Sequence, residues 1–95
     1  MNYSVKVGAM AETDLSKTFY WYEEIREGLG NRFENDFRDA ISQLKDNSFR
    51  CQIKYDGTRI IFLKIFPYGI HYRIRGNQVQ VASVFHTSRK PRFGD

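Results

Sequence analysis

The chain has 95 residues, enough for one small core, and its 41% hydrophobic and 16% aromatic content excludes disorder as the state of the whole chain. One cysteine, Cys51, excludes an internal disulfide framework, and two histidines do not complete a familiar zinc spacing with it. The net charge of +4 is uneven: residues 1–58 carry eight Lys and Arg against ten Asp and Glu, whereas residues 59–95 carry seven against Asp95 alone. The basic half fits a solvated sheet face or a surface for nucleic acid or an acidic protein. Without an apolar run of span length or a charged-then-apolar leader, a cytoplasmic protein with no membrane contact is expected. Residues 1–95 read as one domain with no repeat or linker.

In chain order, YSVKVG (residues 3–8) alternates Tyr3, Val5 and Val7 against Ser4 and Lys6, as a short strand does. From about Thr13 the period lengthens. Leu15, Phe19, Tyr22 and Ile25 or Arg26 recur at helical spacing, and Gly28 and Gly30 supply a stop. Asn31 with Glu34 predicts a capping box opening a second helix, whose stripe is Phe33, Phe37, Ala40, Ile41 and Leu44. A loop this short requires the two helices to pack as an antiparallel hairpin. Glu23, Glu24, Glu27, Asp36 and Asp39 are expected on the outer, solvated faces.

Beyond Phe49 the pattern is that of strands. Asp56-Gly57 is a strong two-residue hairpin signal, and residues 59–66 are apolar on both parities, as in a central strand. Pro67 breaks the run, a strand follows from Gly69, and Gly76-Asn77 turns into the last strand, QVQVASVF. A two-residue turn there pairs Ile74 with Val79 and Tyr72 with Val81 on the core face. It pairs Arg73 with Gln80 and His71 with Ala82 on the other face. The same register adds His86 to that second face, with Arg89, Lys90 and Arg92 just beyond.

With Trp21-Tyr22, Gly28-Leu29-Gly30, Phe66-Pro67-Tyr68 and His86-x-x-Arg89 in this order, the chain resembles the RelE/ParE superfamily of type II toxin–antitoxin toxins. The resemblance covers nearly the whole sequence and is closest to the ParE-like, plasmid-stabilisation type. It implies an α+β fold: an N-terminal strand and an antiparallel two-helix hairpin packed on a curved, mainly antiparallel sheet. It also implies a cognate antitoxin whose partly disordered segment folds on binding, contact with operator DNA only through that antitoxin, and no cofactor. RelE-like members cut mRNA on the ribosome, whereas ParE-like members poison DNA gyrase and are not known as enzymes.

Cleavage through a 2′-hydroxyl needs a base, a donor for the leaving oxygen and cations for the developing charge. His71 or His86 could serve as base, with Arg73 and Arg89 as charge stabilisers, although a lone strand histidine is more often structural. The arginine that such ribonucleases carry after an aromatic is Gly69 here, after Tyr68. Their preceding lysines align with Ile60 and Phe62, and their late tyrosine has no counterpart before Asp95. Arg89 does match a functional arginine position. His71 and His86 lack carboxylate or thiolate partners on their expected face, so a metal site is rejected. The expected reading is a growth-inhibiting, gyrase-directed toxin whose target-binding basic face comprises Arg73, Arg75, Arg89, Lys90 and Arg92. The alternatives are a ribosome-dependent mRNA endonuclease and a non-toxic homologue that only binds antitoxin.

Overall fold

A computed structural model describes residues 3–47 and 53–88. Cys51, Arg89, Lys90 and Arg92 lie outside the described residues. The elements are β1 (Ser4–Val7), α1 (Ala9–Ile25), α2 (Leu29–Asn47), β2 (Ile53–Tyr55), β3 (Thr58–Phe62), β4 (Tyr68–Arg75) and β5 (Gln78–His86). They form one sheet ordered β1-β5-β4-β3-β2, antiparallel except for β1, which runs parallel to β5. The helical hairpin covers one face. Phe33, Phe37, Ala40 and Leu44 of α2, with Ala11 and Tyr22 of α1, pack on Ile61, Tyr68, Ile70, Tyr72, Val79, Val81 and Val84. The periodic stripe of α2 is therefore its buried face.

Both helix starts differ from the expected ones. α1 begins at Ala9, because Gly8 N–H donates to Val81 O at 2.9 Å and its extended backbone turns the chain out of β1. α2 begins at Leu29, which places Asn31 inside the helix, so Asn31 and Glu34 are not a capping box. The cap comes from the neighbouring helix: Gly30 N–H donates to Glu23 Oε1 at 2.8 Å. A carboxylate suits that position because the first N–H groups of a helix lack partners and lie at the positive end of its dipole. Gly28 makes the reversal possible with a φ of 88°, and a Cβ on Gly30 would lie 2.7 Å from Phe19 O.

Asp36 is likewise not on an outer face. It is 3% exposed and accepts backbone N–H bonds from Lys64 at 3.3 Å, Ile65 at 2.9 Å and Phe66 at 2.8 Å. Those donors are withdrawn from the sheet, which is why β3 stops at Phe62 rather than at the expected Phe66. Both expected turns form. Asp56 and Gly57 have φ of 45° and 74°, the left-handed pair of a type I′ hairpin, and Gly76 has φ of 60°.

The register of the last hairpin follows expectation only at its start. Arg75↔Gln78, Ile74↔Val79, Arg73↔Gln80 and Tyr72↔Val81 pair as predicted, but His71 then pairs with Ser83. Ala82 is the extra residue of a β-bulge, and beyond it the alternation of β5 is inverted. Val79 and Val81 face the helices before the bulge, and Val84 does so after it. At that level β1 has already ended opposite Val81, and Val84 N–H instead donates to buried Asp14 Oδ2 at 2.9 Å. Asp14 thereby ties α1 to the strand where the neighbouring strand has run out.

Candidate functional site: the open face of the sheet

The face away from the helices is assembled in rows by the pairing. One row is Lys6, Gln80 and Arg73, with Thr58 bonded to Arg73 beyond it; the next in the same direction is Ser83, His71 and Ile60; the last is Phe85, Gly69 and Phe62. The face grades from cationic near the Gly76-Asn77 turn to aromatic at the far end. Lys6 is a cation the expected basic face omitted. Its polar parity in β1 was visible in sequence, but the parallel pairing with β5 was not.

The bulge changes the histidines most. His71 lies on the open face, whereas His86 pairs with Tyr68, and their rings meet edge-on with centroids 5.0 Å apart. Tyr68 points into the helix-covered side, where its ring also meets Phe33 at 5.2 Å and Tyr22 at 6.2 Å. His71 and His86 thus stand on opposite faces of the hairpin, contrary to the expected single face. His86 Nδ1 also accepts the Ser88 N–H at 3.0 Å.

His71 is only 6% exposed. Its Nδ1 is 2.8 Å from Ser83 Oγ, and its ring stacks on Phe85 with centroids 4.3 Å apart and planes 15° apart. Burial pushes its pKa below the usual 6.5, so the neutral imidazole is the resting form. Phe85 also lies over Gly69, where a Cβ would come within 2.7 Å of its ring and 3.2 Å of Phe62. The position that carries an arginine in the ribonuclease pattern is therefore filled by an aromatic ring. Arg73 is engaged as well: its guanidinium donates to Asp56 Oδ2 at 2.9 Å and its Nε to Thr58 Oγ1 at 3.2 Å. It braces the β2–β3 turn. Arg75 is exposed at the end of β4.

The depressed pKa has a measurable consequence. In the window between 6.5 and the lower folded value, the unfolded chain takes up a proton that the folded chain does not. Stability from this site is complete above about pH 7 and is lost as pH falls through the window. The denaturation midpoint is expected to drop between pH 7.5 and pH 5.5, and by less in His71→Gln. An equal drop in both proteins would place the titrating group elsewhere.

Among the described residues no group of three or more His, Cys, Asp or Glu is arranged to hold a metal ion. The site is a strand face with one buried neutral imidazole, a braced arginine and flanking cations. A helical hairpin packed on one face of a mainly antiparallel sheet is the fold that the RelE/ParE resemblance implies.

Comparison with known proteins fixes the class. The family model described as "ParE toxin of type II toxin-antitoxin system, parDE" matches residues 5–91, and the chain belongs to that family. It is the toxin of a type II toxin–antitoxin system. A structure of the chromosomal ParDE toxin–antitoxin system from P. aeruginosa is similar with a TM-score of 0.79 at 17% identity, over 90% of this chain and 97% of that chain. A second, the RelBE2 toxin–antitoxin complex from Mycobacterium tuberculosis, has a TM-score of 0.64 at 20% identity, over 90% of this chain and 99% of that one. At these identities both speak for the fold alone. No curated protein matches the sequence.

Proposed function

We propose that this toxin arrests growth by binding and poisoning DNA gyrase, and that its sheet face is a docking surface rather than a catalytic centre. The observation that carries this reading is the packing of Phe85 over Gly69 and against His71. Phosphoryl chemistry on this face needs a cation for the developing charge beside an accessible base. Here the ring excludes a side chain at residue 69, His71 is stacked and bonded to Ser83, and Arg73 is held by Asp56 and Thr58. Separation of His71 from His86 removes the acid–base pair that a common face would supply. Among the described residues, Lys6 and Arg75 lie toward one end of this face and exposed Phe62 at the other, a surface graded from cationic to aromatic that suits another macromolecule.

Inducible expression of the toxin alone tests this, with DNA and protein synthesis followed by separate pulse labels. DNA synthesis is expected to stop first, with double-strand breaks accumulating, and His71→Gln is expected to leave the arrest intact. Translation stopping first, with mRNA cut and cutting lost in His71→Gln, would establish an endonuclease instead. Continued growth with folded protein present would mean a homologue that binds antitoxin without toxicity.

A further inference from the structure

On the helix-covered side, where the middle of α1 passes the start of β4, Lys17, Thr18, Trp21 and Tyr68 line a notch of about 150 Å³. Tyr68 is 4% exposed and surrounded by the rings of Tyr22, Phe33 and His86, yet its hydroxyl has no hydrogen-bond partner among the described residues. A hydroxyl lining a recess and lacking a protein acceptor can donate to an acceptor that enters. Lys17 is exposed and in no ion pair among the described residues, and the Thr18 hydroxyl is likewise unpaired there. Two hydroxyls and one ammonium on a single small recess make a site for one anionic acceptor.

We propose that this notch receives an acidic side chain of the antitoxin, its carboxylate accepting from Tyr68 and Thr18 and pairing with Lys17 while its methylenes lie on Trp21. The occupant rests on the toxin–antitoxin reading. The volume admits one side chain and not a nucleotide. Glu23, Glu24 and Glu27 crowd the end of the same helix and the loop after it, which repels a polyphosphate backbone but tolerates an isolated carboxylate.

Trp21 is the only tryptophan in the chain, so its indole N–H is a single reporter within the notch. With ¹⁵N-tryptophan-labelled toxin, N-acetylglutamate N-methylamide is expected to shift that resonance saturably, and the glutamine analogue is not. Tyr68→Phe, which removes only the hydroxyl, is expected to weaken the response roughly tenfold. Lys17→Met on the exposed helix surface should weaken it similarly, and it serves as the test should Tyr68→Phe fail to fold. The labelled toxin in complex with its antitoxin should not respond, because the notch is filled. A non-saturable response, equal binding by the variants, tighter binding of inorganic phosphate, or an undiminished response in the complex would each overturn the proposal. Absence of growth arrest on expression would instead count against toxicity and leave this titration unaffected.

Discussion

Asp36→Ala is expected to lower stability by about 3–5 kcal/mol, on the order of 15–25 °C in melting temperature for a domain of this size. One carboxylate accepts three consecutive backbone N–H groups, those of Lys64, Ile65 and Phe66. Truncation leaves these donors facing a space that Asp36, almost wholly buried, had filled. Each donor lost from a charged acceptor costs about 1–3 kcal/mol when no water replaces it, and partial hydration of the loop sets the total below the sum. Asp36→Asn keeps one oxygen but puts an NH₂ donor against a backbone donor, so it should fall between wild type and Asp36→Ala. Thermal unfolding of the three proteins checks the order. A loss below about 1 kcal/mol in Asp36→Ala would show that the loop holds its shape without the carboxylate.

Phe33→Ala is expected to cost a similar amount, about 3–5 kcal/mol, through a different mechanism. Phe33 is fully buried where Tyr22, Phe66 and Tyr68 converge, with centroid distances of 5.9, 5.7 and 5.2 Å. Its neighbours come from α1, the β3–β4 loop and β4. No single element can move in to fill the cavity without breaking contacts made by the others. Tyr68 would also lose a wall, so the notch around Trp21 should become more mobile. Urea denaturation should show the loss in the midpoint with little change in slope. A cost near 1 kcal/mol would mean that the cluster collapses onto the vacancy.

The two effects separate what was legible in the sequence from what was not. Phe33 could be read because an apolar residue repeating every three or four positions reveals the buried face of a helix, whatever that face meets. The Asp56-Gly57 and Gly76-Asn77 turns were legible because their backbone conformations require particular residues, and the first four pairs of the last hairpin followed from the second turn. Asp36 was not legible. On an amphipathic helix an aspartate reads as solvent-facing, and only the arrival of a loop 28 to 30 residues later supplies its donors. Asp14 and Glu23 passed unread for the same reason, since each is satisfied by a backbone group on a separate element.

The functional face was legible as composition but not as geometry. A two-helix hairpin, the strands and turns that follow it, and a basic second half could all be read from the residues, because local propensity and periodicity act over short stretches of chain. Tertiary structure alone decided that β1 lies parallel beside β5 and brings Lys6 to the open face. It also decided that Ala82 bulges, which sends His86 to the face opposite His71. No local signal marks that bulge. An extra residue in one strand is settled by which side chains fit beneath the helices, Val81 before it and Val84 after it, and by whether Asp14 can accept the Val84 N–H that β1 no longer reaches.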